Sequence, residues 1–164
     1  MSKAEHPQRR ADELRSLFGR YPTGVAVVTI VAGEQRLGLT LGSLVSLSLD
    51  PPLVGFAVSK EAALHELLRE AEGCAVSMLA GGQEWLAQHF ARGVPPIAMW
   101  HGVATTEGAN GAPLLAGAVG WLECTVRGEL AAGTHTFFVC SVERFEEGIA
   151  APVLVRARGD YAAV

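Results

Sequence analysis

Charge is thin in this chain, at 18% of 164 residues, and aromatics make up only 7%. Apolar residues reach 49%, the opposite of the balance that keeps a chain disordered. Basic residues are not in excess. Thirteen Lys and Arg stand against seventeen Asp and Glu, a net charge of −4, and no basic stripe appears. A nucleic-acid partner therefore has no support. There are three cysteines and no CxxC pair. This excludes a disulfide framework and most structural zinc patterns, and a reducing cytoplasm is the expected compartment. No stretch approaches the roughly 18 unbroken apolar residues of a membrane helix, so no membrane role is expected. The polar segment Met1 to Arg10 lacks the apolar core of a secretion signal. Internal repeats and low-complexity linkers are missing too.

What is abundant is glycine, at nineteen, with eight prolines. That suits a turn-rich fold of many short strands. A mean hydropathy of +0.27 arises from Ala, Val and Leu along the whole length. A homodimer interface is one way to hide such a surface. The length fits one domain with its own core. Residues 1–13 are expected as a flexible tail and 14–164 as the domain.

Leu14, Leu17 and Phe18 share one helical face, and Gly19 ends that helix. Val25 to Val31 is a β-branched strand, and Gly33-Glu34-Gln35 is a hairpin turn. The next strand is expected from Leu37 into Leu49, where Asp50-Pro51-Pro52 stops it. Leu53 to Val58 is a further strand. Ala62 to Ala71 repeats Leu64, Leu67, Leu68 and Ala71 at helical spacing, with Gly73 placed as a C-cap. A strand from Cys74 to Leu79 and a helix from Gln83 to Phe90 follow. Gly93 to Pro113 is expected to be a long irregular loop. Gly120 to Leu130 and Thr136 to Phe145 form a hairpin about Ala131-Ala132-Gly133, and Pro152 to Val155 is a last strand. Strands joined by short turns favour a barrel over a doubly wound sheet.

Several chemistries are excluded by pattern. Gly19-Arg-Tyr-Pro-Thr-Gly24 has the glycine spacing of a phosphate loop, but Val25-Ala26 replace the Lys and Ser/Thr that grip phosphate and magnesium. No GxGxxG opens a helix and no GxSxG elbow occurs. His6, His65, His89, His101 and His135 show no close ligand spacing, so no metal site is expected. Cys74, Cys124 and Cys140 fall in strands and are expected to pack the core. One segment stands out: Gly38-Leu-Thr-Leu-Gly-Ser-Leu-Val-Ser-Leu-Ser-Leu-Asp-Pro-Pro-Leu53. It is either an edge strand with serines facing water or a ledge that a flat ligand approaches closely, with Thr40 and Ser43 supplying hydrogen bonds.

That segment resembles the TxNSxxSxSxxPPL signature of the flavin reductase-like family. Phe18 to Thr29, reading FGRYPTGVAVVT, is similar to the family's opening strand. Gly111 to Cys124 is similar to its GxPxLxGAxAWLEC strand, Gly133 to Val139 to its GDHxxxxG hairpin, and Arg158-Gly-Asp-Tyr161 to its closing RGxY. The resemblance covers about Leu14 to Tyr161. It implies a mainly β fold with short helices, a Greek-key split β-barrel of the FMN-binding type. It also implies NAD(P)H-dependent reduction of free FMN or FAD, a homodimer, and a flavin-dependent monooxygenase as partner. By the same resemblance Gly38, Leu39, Thr40, Gly42 and Ser43 line the flavin ring. Ala57, Val58, Ser59 and Lys60 follow the ribityl chain and phosphate. Gln83, in the loop from Ala80 to Leu86, closes the phosphate side. Tyr161 belongs to the closing motif, and His135 is the catalytic candidate beside the stacked rings.

The chain departs from the family at named positions. Gly42 replaces an amide-bearing residue. Lys60-Glu-Ala-Ala-Leu64 lacks both hydroxyls of the usual K/R-x-S-x-T run. Ala87 stands where the phosphate-side helix often carries Ser, and Val76-Ser-Met-Leu79 replaces VNVL. Losing two bonds to a charged group weakens phosphate binding by about a hundredfold. Flavin is therefore expected as a loosely held substrate. The alternative is the same scaffold adapted to bind or convert another small apolar molecule without redox chemistry.

Overall fold

The computed structural model describes residues 5–164. Its elements are α1 (Glu5–Gly19), β1 (Thr23–Gly24), β2 (Ala26–Ala32), β3 (Gln35–Leu41), β4 (Val45–Leu49), β5 (Pro52–Ser59), α2 (Ala63–Glu70), β6 (Cys74–Met78), α3 (Glu84–Ala91), α4 (Pro96–Met99), β7 (Thr105–Glu107), β8 (Pro113–Leu115), β9 (Gly120–Ala132), β10 (His135–Glu147), β11 (Leu154–Ala157) and β12 (Asp160–Ala163).

Seven strands form one antiparallel sheet in the order β3-β2-β6-β9-β10-β5-β4. The two edge strands, β3 and β4, are joined only by residues 42–44. So short a link reaches about 14 Å at full extension, so the sheet must curl until its edges approach. That connection turns a sheet into a split barrel. A second sheet, β1-β11-β12, is hydrogen-bonded to the first beside the start of β2 and the end of β6. The Val25 amide donates to the Leu154 carbonyl, and the Leu154 amide to the Leu79 carbonyl, at 3.1 and 2.9 Å.

The barrel interior follows strand alternation. Val54, Phe56 and Val58 of β5 point inward with Thr136, Phe138 and Cys140 of β10, and all are buried. Phe56 and Phe138 meet at 6.3 Å between ring centres. Cys74, Cys124 and Cys140 are free and buried, as their strand positions suggested. The Cys74 thiol is pushed well up by its hydrogen bonds to Cys124 and Cys140 and by burial.

Several expectations need correction. The first helix begins at Glu5, so residues 5–13 of the supposed tail are helical, with Arg9 and Glu13 paired at 2.9 Å one turn apart. Residues 1–4 of that tail lie outside the described residues. The single strand from Leu37 to Leu49 is two strands on opposite edges of the sheet. Alternating apolar residues run through both, and the break at Gly42-Ser43-Leu44 carries no proline to announce it. Gly73 does not cap α2, whose C-cap is Ala71. A Cβ at Gly73 would lie 2.9 Å from the Cys124 carbonyl, so close packing explains the glycine. The supposed loop from Gly93 to Pro113 contains α4, β7 and the first residue of β8. Met99 within it is buried, and the Trp100 indole N–H donates to the Arg36 carbonyl at 2.8 Å.

Candidate flavin site

Inward pairing on β5 and β10 leaves the intervening residues facing out. His135 lies directly opposite Ser59, and Phe137 opposite Ala57. The Lys60 amide donates to the Thr134 carbonyl at 3.0 Å, which ties the start of the next segment to the β9–β10 turn. Ser43 completes the ledge. Its hydroxyl accepts from the Ala57 amide at 2.9 Å, replacing the strand neighbour that β5 lacks before β4 begins. Ser43, Ala57, Ser59, Lys60 and His135 are thus brought together on one outward surface.

The helix that follows supports this ledge. Ala62 is the N-cap of α2 and makes no side-chain cap bond. Its amide donates to the Ser59 carbonyl at 3.0 Å, and the Glu61 amide to the Ser59 hydroxyl at 3.3 Å. Amides of an uncapped first turn have no intrahelical partner and favour an anion. His65, one turn along, is buried between two bonds of 2.7 Å, to the Glu66 carboxylate and the Thr136 hydroxyl. It locks α2 onto β10 beside His135. Arg69 extends the network to Glu66 and Glu129, each within 2.9 Å. The His65 hydrogen bond, then Arg69, holds Glu66 below the usual carboxylate range. Nothing in sequence spacing linked His65 to Thr136. They are 71 positions apart.

The other sequence candidates make contacts within the chain. Gly38 is covered by Phe90, whose ring carbons would stand 2.7 Å from any added Cβ. The Thr40 hydroxyl donates to the Ala87 carbonyl at 2.7 Å and fixes α3 against β3. Leu39 is half-buried against the core, and Val58 is wholly inside it. Gly42 is exposed, and a Cβ there would come 3.1 Å from the Thr23 hydroxyl. The Gln83 amide is engaged at both ends, accepting from the Ala80 amide and donating to the Ala116 carbonyl, each at 2.9 Å. Tyr161 stands on the other sheet, beneath the Arg156 guanidinium at 5.6 Å. Ala87 is fully buried, so a serine there would face the core and not a phosphate. Among the described residues no group of three or more His, Cys, Asp or Glu is arranged to hold a metal ion, and no helix is long and apolar enough to cross a membrane.

The ledge suits a flat, anionic ligand. Small side chains flank β5, an imidazole and an ammonium stand at one end, and the first turn of α2 lies beyond. Curled sheet and ledge together define a small split-barrel domain of the kind that binds flavin. The chain belongs to the flavin reductase-like family, whose profile, "Flavin reductase like domain", matches residues 18–164. It is 44% identical over 133 residues to an NADH-dependent FAD reductase of Streptomyces globisporus, covering 79% of this chain and 72% of that one. It is 36% identical to the reductase component of 4-hydroxyphenylacetate 3-monooxygenase from Thermus thermophilus, covering 92% and 94%. Among solved structures, the NADH:FAD oxidoreductase SgcE6 of Streptomyces globisporus C-1027 in complex with NAD and FAD fragments superposes with a TM-score of 0.89. That match is at 38% identity over 96% of this chain and 94% of the other.

Proposed function

We propose that this protein oxidises NADH and reduces free FMN or FAD, supplying reduced flavin to a separate oxygenase. The observation that carries the reading is the meeting of Ser43, Ser59, Lys60 and His135 with the uncapped start of α2 on one face. Hydride passes from the nicotinamide ring to the flavin, and the two rings supply that chemistry. The chain's residues orient and hold. Ser43 and Ala57 border the ring, Ser59 and Lys60 meet the ribityl chain and phosphate, and the amides of α2 stand in for the missing hydroxyls at 62 and 63. His135 steadies the stacked pair from the hairpin. A grip of one ammonium and backbone amides, without the two hydroxyls, supports a loosely held substrate rather than a resident group. NADH as the donor is supported by the relatives' names. An oxygenase partner is supported by the monooxygenase and halogenase reductase components among them.

A homodimer covers the open ledge. Leu47 and Leu49 of β4 are 46% and 87% exposed, and Leu17 and Phe18 of α1 are 61% and 66% exposed. A second copy of this chain over those residues hides apolar surface and encloses the flavin ring at once. Three free, buried thiols suit a reducing cytoplasm. The test is to follow NADH absorbance with FMN or FAD added, on protein shown by light scattering to be a dimer. Turnover between about 1 and 1000 per second is expected. Absence of NADH oxidation with either flavin overturns the reading.

A further inference from the structure

Four polar side chains are buried among the described residues: Thr29, His65, Ser77 and Thr136. Thr29 and Ser77 spend their hydroxyls on the backbone of β8. Thr29 donates to the Pro113 carbonyl at 2.6 Å, and Ser77 accepts from the Leu115 amide at 3.0 Å. His65 and Thr136 bond to each other instead, side chain to side chain at 2.7 Å, and so join α2 to β10 inside one copy of the chain. The Phe138 ring stands edge-on to the imidazole, 5.9 Å between centres, and limits its rotation.

Holding a helix on a sheet does not need such a pair. An apolar residue at 65 would bury its surface as well, and a neutral hydrogen bond adds little net stability. What the pair adds is direction. Apolar contact tolerates sliding, whereas a buried hydrogen bond fixes distance and angle. The outer part of the same network holds less firmly. Glu66, which takes the other imidazole nitrogen, is 70% exposed, and its pair with Arg69 lies at the surface, where ion pairs contribute little.

The bond stands close to the ledge. His65 lies in the first turn of α2, and its amide donates to the Ala62 carbonyl at 2.9 Å. Only residues 60–62 separate β5 from α2. Thr136 pairs with Val58 of β5, one step inward from the pairing of His135 with Ser59. A displacement of α2 must therefore carry Lys60, Glu61 and Ala62 away from His135. We propose that His65 is a positioning residue for the flavin. Through Thr136 it sets where Lys60 and the first turn of α2 meet the phosphate, and so sets a preference for FMN over riboflavin, which has the same ring and no phosphate. The place of the phosphate rests on the reductase reading.

Flavin fluorescence titrations on the intact protein give dissociation constants for FMN and riboflavin without turnover. The wild type should bind FMN about tenfold tighter, as one charge-assisted bond allows. Two variants remove the clamp. Thr136→Val nearly keeps the shape and loses the hydroxyl, and His65→Leu loses both bonds of the imidazole. Each should weaken FMN about tenfold, erasing the preference, and leave riboflavin within about twofold. Thr136→Ser keeps a hydroxyl and should retain FMN affinity. In steady-state NADH oxidation the same loss should fall on the KM for FMN, with kcat within about twofold. A clamp that served stability alone would weaken both flavins together, or neither, and either result overturns the proposal. Equal binding of FMN and riboflavin by the wild type overturns it too, as does Thr136→Ser behaving like Thr136→Val. If His65→Leu fails to fold, Thr136→Val decides alone. Should the wild type bind FMN selectively yet leave NADH unoxidised, the reductase reading fails, and the role of His65 is still read from binding.

Discussion

Gly38→Ala separates a glycine kept for a ligand from one kept for packing. The backbone at 38 is ordinary strand, so alanine suits it locally. The obstacle is Phe90, whose Cδ1 and Cε1 would both lie 2.7 Å from the new methyl. Phe90 cannot yield easily. It is 2% exposed and packs edge-on to His89 and against Trp100, with ring centres at 5.1 and 5.3 Å. Trp100 is itself held by its bond to the Arg36 carbonyl and by the Arg36 guanidinium 4.6 Å above its ring. Overpacking of this kind costs about 1–3 kcal/mol. In a domain of this size that lowers the melting temperature by about 3–10 °C. The assay is thermal unfolding of the wild type, Gly38→Ala, Phe90→Leu and the double variant. Removing the ring atoms should relieve the clash, so the two changes should couple by about 1 kcal/mol or more. An unchanged melting temperature with a raised flavin KM would refute the reasoning and return Gly38 to the ligand.

His135→Ala should lower turnover at least tenfold through lost orientation of the rings. Its melting temperature should stay within about 2 °C, because His135 is exposed at a hairpin. Unchanged turnover removes His135 from the mechanism. Thr40→Val leaves the Ala87 carbonyl without its donor and should cost about 1 kcal/mol, read by denaturant unfolding. Arg69→Met tests the ion network by pH. Glu129, through Arg69, and Glu66, through His65 and Arg69, are held below the usual carboxylate range, so their contribution is present above that range and is lost as pH falls through the lowered values. The melting-temperature gap between wild type and Arg69→Met should therefore be full near neutrality and shrink below about pH 4. A gap independent of pH would assign Arg69 a packing role alone.

The sequence by itself determined the strands and the scaffold. β-branched runs such as Val25 to Val31 and hairpin glycines such as Gly33, at φ +61°, act locally, and local rules read them. The residues named by the resemblance on β5 and β10, Ala57, Ser59 and His135, came to one face only when those two strands paired, while Val58 of the same run turned inward. Tertiary structure decided the rest. The break at Gly42-Ser43-Leu44 sends β4 to the far edge because Ser43 can bond the Ala57 amide there, a contact across 14 positions. Gly73 was read as a cap, yet it answers to Cys124 far along the chain, and the packing of Phe90 on Gly38 is equally remote in sequence. Gln83 spends its amide on Ala116, and His65 finds Thr136. Arg15 and Arg20 meet Arg156 and Arg158, from opposite ends of the sequence, around one opening, through the docking of Arg158 on Gly19. Local periodicity carries no information about such pairings, because they are set by which surfaces meet when the sheet curls.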